Sequence, residues 1–501
     1  MLRQVRHARR LIGMVRCLAR HNALFPLELV PAAQPWMPLA NRFVDRSAAG
    51  RPGQRLAAAL EEMGPAFIKL GQALSTRADL LGEAICRDLS SLQDRLPSFP
   101  AAAARATIEA ELERPIAELF ASFTDEPVAA ASIAQVHFAI TAEGEPVAVK
   151  VLRPGIEARI ERDLDFLLWV AEWAERTTPM LRRYRPIATV LMLREGTRRE
   201  MDLRLEAAAA AEFAETCADD EGFKVPRVDW RRTARRVVTF ERVAGLRAVR
   251  GDLIAAGLDP DQILANAARV FFNQVFRDGY FHADMHPGNM LISPDGQIIA
   301  MDFGIMGRLD LPTRRNLAEI LLGFLQRDYR KVADLFFRLG FLPRTQDRAA
   351  FTQACRALGE PILGLPLNQI SFGRLLGQLL HVAEQFDMQA QPQLLLLQKT
   401  MVVAEGVGRE LNPTVNIWQL AQPLVEDWMR TNLGPEAQVR SMLADTVDVA
   451  RRMPAVLREL DGALERLARD EELRPVQQPA PATVWLLLAF ALGLLVGLVL
   501  H

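Results

Sequence analysis

Lysine is scarce in this chain: of 60 basic residues only Lys69, Lys150, Lys224, Lys331 and Lys399 are lysine. Chemistry that needs an ammonium rather than a guanidinium therefore has few candidates. Cysteine is scarce as well. Cys17, Cys86, Cys217 and Cys355 lie far apart with no C-x-x-C pair, which gives no support to a disulfide framework or a zinc knuckle. No G-x-G-x-x-G follows a strand-like run, so nothing marks a dinucleotide-dependent hydroxylase. An excess of one charge is missing too: Lys+Arg 60 against Asp+Glu 61 gives a net −1, against a globally basic nucleic-acid binder. Long apolar runs are missing before the tail, and a mean hydropathy of +0.05 is too low for a multi-span membrane protein.

What is present is 501 residues, 50% hydrophobic and 24% charged, enough for two to four folded units. The charge is unevenly placed. Residues 1–60 hold ten arginines against Glu28 and Asp45, a net +8, so the other 441 residues carry −9. Within the first 20 residues Val5, Ala8, Leu11, Ile12, Val15, Leu18 and Ala19 recur at helical spacing between arginines. This predicts a basic amphipathic helix resting on an anionic membrane surface or an acidic partner; a mitochondrial targeting peptide has the same composition, and packing on its own protein is the plainer alternative. At the other end, Pro475, Pro479 and Pro481 lead into Val484–Leu500, an uncharged run. At 1.5 Å per residue it reaches about 25 Å, a transmembrane helix if the bilayer thins slightly. Arg466, Arg469 and Arg474 precede it, so the positive-inside rule keeps the main body cytoplasmic. Gly493 and Gly497 form a G-x-x-x-G, a candidate homodimer face.

The chemistry concentrates in GYFHADMHPGNM, Gly279 to Met290, and in Met301-Asp302-Phe303-Gly304. Asp284, Asn289 and Asp302 in this order fit phosphoryl transfer from ATP: one carboxylate to orient the acceptor, two oxygen ligands for Mg²⁺. His282 and His286 are four apart, but Pro287-Gly288 makes the segment a loop and the Glu of H-E-x-x-H is missing, so zinc is the weaker reading. Upstream, Val136, Phe138 and Ile140, the turn Glu143-Gly144-Glu145, and Val147, Val149 and Val151 alternate as a hairpin. Its second strand carries Lys150, placed to reach the α- and β-phosphates. Before it, where a glycine-rich phosphate loop would stand, are Ala129, Ala130, Ala131 and Ser132. Each Cβ holds backbone amides farther from phosphate than glycine would, so nucleotide should be gripped differently. Spacing alone leaves the glutamate partner of Lys150 open, with Glu172 and Glu175 both at a suitable distance.

Taken together these motifs resemble the UbiB family of atypical, protein-kinase-like ATPases linked to ubiquinone biosynthesis, over about residues 55–420. The family's K-x-G-Q motif stands as Lys69-Leu70-Gly71-Gln72, its alanine-rich loop as Ala129–Ser132, its E-x-D motif as Glu200-Met201-Asp202. The resemblance implies that Glu206 is the partner of Lys150, with the extra helices between them an insertion. It also implies that the K-x-G-Q helices cover the face where a protein kinase accepts its peptide, with Lys69 and Gln72 gating against Glu200 and Asp202. Glu241, beside Arg242, falls where a kinase hinge would meet adenine.

The fold expected is α+β: an atypical protein-kinase-like two-lobe fold with extra N-terminal helices and a C-terminal transmembrane helix. Its parts would be a basic segment (1–50), a helical K-x-G-Q extension (51–125), an N-lobe with a helical insertion (126–243), a helical C-lobe (244–470), a Pro-rich linker (471–483) and the span (484–500). The resemblance implies an ATPase using ATP and Mg²⁺ to extract or present hydrophobic quinone precursors. Its expected location is the bacterial inner membrane, or the mitochondrial inner membrane if the first residues are a targeting peptide. Expected partners are membrane lipids, prenylated quinone precursors and ubiquinone-biosynthesis enzymes, with no nucleic acid. A small-molecule or lipid kinase and a pseudokinase scaffold are the rival readings.

Overall fold

The computed structural model describes residues 2–413, apart from short breaks at 29–30, 76–80, 90–91, 93–96, 179–181, 183–184, 364–370 and 389–391, and a few residues between 423 and 431. The chain divides into two units, Met1–Glu426 and Asp427–His501, and the first is described here. Four helices come first: α1 (Leu2–Arg20), α2 (Pro52–Met63), α3 (Pro65–Leu74) and α4 (Glu83–Leu89). Gly64 joins α2 to α3 at φ +106°, a left-handed value, and a Cβ there would also crowd the Arg159 guanidinium.

After α5 (Ala101–Leu112) come β1 (Phe120–Phe123), β2 (Ala129–Ala130), β3 (Ala134–Thr141) and β4 (Pro146–Leu152). Then follow α6 (Ile156–Thr177), α7 (Pro186–Glu200), α8 (Leu203–Thr216), β5 (Phe223–Lys224) and β6 (Val237–Glu241). The antiparallel sheet runs β1-β3-β4-β6, with β2 on β3. The sheet unit thus begins before residue 126, because β1 already pairs with β3 and α5 packs beneath it. Strand alternation sorts the residues of β4. Val147, Val149 and Val151 are buried in a cluster with Ala104 and Ile108 of α5, and Lys150 is turned to the opposite face. There it lies between Val136 of β3 and Val238 of β6.

The C-terminal half opens with β7 (Leu246–Arg247) and α9 (Pro260–Phe272), and then β8 (Tyr280–His282), β9 (Met290–Ile292), β10 (Ile298–Ala300) and β11 (Met306–Arg308). Helices α10 (Leu311–Leu325), α11 (Tyr329–Arg338), α12 (Arg348–Leu363), α13 (Phe372–Gln385) and α14 (Pro392–Leu411) complete it, with shorter helical turns between elements. Only Leu309 and Asp310 separate β11 from α10, and Asp310 caps that helix by accepting from Thr313 N at 2.8 Å.

The first helix forms as its spacing predicts but turns its apolar side inward. Cys17, Leu18 and Ala19 are buried with residues of α2 and α6, and Leu11, Met14 and Val15 pack against them. Acidic residues on α6 and α2 explain the orientation: Arg10 pairs with Asp163, Arg6 with Asp165, and Arg20 with Glu62. Of the stripe expected to meet lipid, Leu11, Val15, Leu18 and Ala19 are therefore packed on the protein itself, while Val5, Ala8 and Ile12 stay exposed. Among the described residues no helix is long and apolar enough to cross a membrane. The expected span 484–500, its linker and the G-x-x-x-G lie outside the described residues.

Candidate active site

Strand register assembles the site. β3 and β6 flank β4, and the Lys150 ammonium donates to both carboxylate oxygens of Glu206, one turn into α8, at 2.8 and 2.9 Å. Glu206, not Glu172 or Glu175, is the helix glutamate that meets this lysine. Lys150 also reaches Asp302 Oδ1 at 3.3 Å. Burial opposes the lysine's charge, but the Asp302 and Glu206 carboxylates outweigh it and hold the ammonium above its ordinary range. Asp302 is held below the usual carboxylate range, chiefly by Lys150. Burial pushes Glu206 above that range against the pull of Lys150. Two carboxylates thus share one ammonium, Glu206 from the buried side and Asp302 from the exposed side of the cleft.

The second hairpin positions the two oxygen donors. Ala300 pairs with Met290, and the ladder continues with Met301 N donating to Asn289 O at 2.9 Å, so Asn289 stands opposite the residue before Asp302. Asn289 Nδ2 donates to Asp284 O at 3.0 Å, which leaves its Oδ1 as the accepting atom. Asp302 sits at φ +59°, a left-handed conformation sparsely used by side-chain-bearing residues and concentrated at functional sites. Phe303 is fixed beneath it, buried and within 6.1 Å of both Phe213 and Phe240 between ring centroids.

Asp284 follows β8. His282 accepts from Asp284 N at Nδ1, 3.1 Å, and its Nε2 donates to the carbonyls of Met301 and Asp302 at 3.1 and 3.0 Å. Burial lowers its pKa, and with both nitrogens engaged by backbone it is a strut between the two loops, not a zinc ligand. A Cβ at Gly279, φ +70°, would run into the Leu309 carbonyl, so the tight entry into β8 requires glycine.

The alanine-rich segment is a short hairpin. Ala129 and Ala130 pair with Val136 and Gln135, Ala131 N donates to Ala134 O at 2.8 Å, and Ser132 is buried. Arg153 donates to Ala131 O at 3.1 and 2.8 Å and to Pro97 O at 2.8 Å, while Gln135 exchanges bonds with the Phe99 backbone. None of residues 129–132 has a positive φ. The turn is thus pinned from outside, in backbone conformations that alanine adopts without strain.

Lys69 of α3 reaches Glu200, at the end of α7, at 2.9 Å. Asp202 does not join them. It caps α8 by accepting from Arg204 N at 3.2 Å and is closed by the Arg204 guanidinium at 2.9 and 2.7 Å. Gln72 lies one turn beyond Lys69 on α3, half-buried. Glu241 accepts from Lys224 Nζ at 2.6 Å and from Arg227 N at 3.3 Å, and Arg242 stacks over Phe138 at 3.9 Å. The residue that motif reading missed is Lys399 of α14, whose Nζ lies 2.8 Å from Asp284 Oδ1. Its one signal in the sequence was the scarcity of lysine. Three of the five lysines, Lys69, Lys150 and Lys399, gather around this site.

A strand lysine paired to a helix glutamate above loops carrying Asp284, Asn289 and Asp302 defines an atypical kinase-like architecture. Residues 91–336 match the ABC1 atypical kinase-like domain and residues 355–416 the UbiB helical domain. The chain is 39% identical over 463 residues to "Probable protein kinase UbiB" of Marinobacter nauticus, covering 89% of this chain and 84% of that protein. It is likewise 39% identical over 414 residues to the protein of the same name from Shewanella piezotolerans, covering 81% and 75%. Among solved structures, the complex of Rv3197 with erythromycin from Mycobacterium tuberculosis aligns at TM-score 0.49 and 27% identity, covering 78% of this chain and 96% of that one. The chain belongs to the UbiB family of atypical kinase-like proteins.

Proposed function

We propose that this chain is a membrane-associated ATPase supporting ubiquinone biosynthesis, which hydrolyses ATP to extract or present hydrophobic quinone precursors at the bilayer. The observation that carries the reading is a complete phosphoryl-transfer set with a helix beside it: Lys150 is paired to Glu206 and Asp302, and Lys69 of α3 pairs with Glu200 while its charge acts on Asp302. A helix tied down there leaves little room for a protein substrate. Lys150 would hold the α- and β-phosphates beneath the 129–132 turn, and Asp284 would orient the attacking water. Asn289 pairs through its backbone with Met301, the residue before Asp302, and an amide oxygen and a carboxylate brought to adjoining strands in this way are hard oxygen donors that suit Mg²⁺. Asn289 and Asp302 would hold the ion, which supplies neutralisation of the phosphate oxygens. The complete set counts against a pseudokinase scaffold.

For the membrane, the exposed side of the N-terminal segment supports the reading, including the part of the α1 stripe that the protein leaves uncovered. Val5, Ile12, Trp36, Leu39 and Phe43 are exposed, as are Arg9, Arg16, Arg42 and Arg46. Apolar side chains among cations suit an anionic lipid interface. Asp302→Asn is expected to abolish Mg²⁺-dependent ATP hydrolysis and to lower cellular ubiquinone; normal ubiquinone with a dead ATPase would reject the coupling. Mass spectrometry of prenylphenols incubated with the protein and ATP separates the rival reading, because a small-molecule kinase leaves a phosphorylated product.

A further inference from the structure

Lys399 lies 115 residues beyond Asp284 in sequence, yet its ammonium sits 2.8 Å from Asp284 Oδ1. The helix bearing it is seated on the loop itself: Thr400, the next residue, is buried, and its hydroxyl lies 3.4 Å from the Ala283 carbonyl. Lys399 is half-exposed and Asp284 about one-quarter exposed, so the ammonium stands at the open side of the loop. An ammonium carries three donors on a flexible stem, and one bond to Asp284 leaves others for a second acceptor. A guanidinium would tend to spend its fork on the carboxylate, and this chain, which uses arginine for 55 of its 60 cations, has lysine here.

We propose that Lys399 bridges Asp284 and the transferring γ-phosphoryl group, so that the helical domain supplies a cation to the kinase-like site. The inference rests on the ATPase reading above. In the reaction, the water oxygen forms a bond to the γ-phosphorus while the bond from phosphorus to the β–γ bridging oxygen breaks. The electron pair of that bond leaves with ADP, and the water proton passes to the Asp284 carboxylate and on to solvent. Lys150 serves the α- and β-phosphates from the sheet, and Lys399 serves the γ-phosphoryl oxygens from the opposite side. Residues 355–416, the UbiB helical domain, contain Lys399, so residues 91–336 alone would lack this charge.

The test uses the full chain purified in detergent, with Lys399→Met, Lys399→Arg and, as a distant control, Lys331→Met. Phosphate release gives kcat, and calorimetry with Mg²⁺·ADP gives affinity for a nucleotide without the γ-phosphoryl group. Loss of one donor to a developing anion costs about 10²-fold in kcat. Lys399→Met is expected to show a fall of that order with ADP affinity and melting temperature unchanged, Lys399→Arg to recover part of it, and Lys331→Met to match wild type. An unchanged kcat in Lys399→Met overturns the assignment. So does an equal loss in both Lys399 variants accompanied by lower ADP affinity and a lower melting temperature, the signature of a structural tether. Wild-type protein that binds Mg²⁺·ATP without turning it over would remove the ATPase reading, and this inference with it.

Discussion

Glu206→Gln isolates the ion pair at the centre of the cleft. Both side chains are largely buried, and the ammonium donates to both carboxylate oxygens at 2.8 and 2.9 Å. Deleting one partner of a buried pair costs about 3–5 kcal/mol, mainly because the survivor is left charged and unpaired. Asp302 Oδ1 at 3.3 Å still faces Lys150, which puts the expected cost near the low end, about 3 kcal/mol. At about 2 °C per kcal/mol for a large domain, the melting temperature should fall by about 6 °C. Lys150→Met should cost less, because burial already pushes Glu206 toward its neutral form and the orphaned carboxyl can take up a proton. The sign of the pH response follows. A carboxyl whose folded pKa lies above its unfolded value contributes stability that is lost as pH rises, so Lys150→Met should become less stable relative to wild type from about pH 4.5 upward. The double variant, with neither charge, should be more stable than Glu206→Gln alone. Calorimetric melting of the four proteins from pH 5 to pH 8 checks this, and a double variant that loses the sum of the two single losses would refute the reasoning.

His137 is fully buried on the sheet, its Nδ1 donating to Thr124 O at 2.8 Å and its Nε2 accepting from Gln135 at 2.7 Å, and burial lowers its pKa. A depressed histidine must be neutral in the fold, so wild-type stability should fall as pH drops below about 6.5, with a shallower slope in His137→Gln by denaturant titration. Lys69→Met leaves the half-buried Glu200 carboxylate without the Lys69 ammonium and should speed amide exchange in α3 while β3 and β4 stay protected; equal protection in both proteins would count against a tied-down α3. Phe213 is fully buried against Phe223, Tyr280 and Phe303, so Phe213→Ala should cost about 3–5 kcal/mol through the cavity left behind, read by chemical denaturation.

Local pattern made the β3–β4 hairpin and the two loops legible, because alternation and turn chemistry act within a dozen residues. Glu206 lies 56 residues from Lys150, and spacing alone offered nearer glutamates; only family resemblance chose correctly. Asp202 was paired with the wrong cation because an aspartate two residues before Arg204 can cap its own helix and bind that arginine at once. Lys399 carries no motif, since its geometry comes from a helix that meets the loop only in the folded chain. The inward turn of α1 had the same cause: its acidic partners Asp163 and Asp165 lie far along the sequence. Residues 120–123 escaped notice as a strand because four residues cannot establish a period of two.

Glu200 holds Lys69, and six residues later Glu206 holds Lys150, with the Asp202 cap of α8 between them. The outer helix and the Lys150 cleft are thus tied to the two sides of one short junction, the end of α7 and the start of α8. On the function proposed above, linkage makes the effect of lifting α3 on nucleotide affinity equal to the effect of nucleotide on α3. On that function, a hydrophobic molecule that lifted that helix would register at Lys150 as a change in ATP affinity. The 56-residue interval that hid Glu206 from sequence spacing is also the stretch that carries Asp163, which holds α1, and Glu200, which holds α3, so the N-terminal helices and the Lys150 site hang on one insertion.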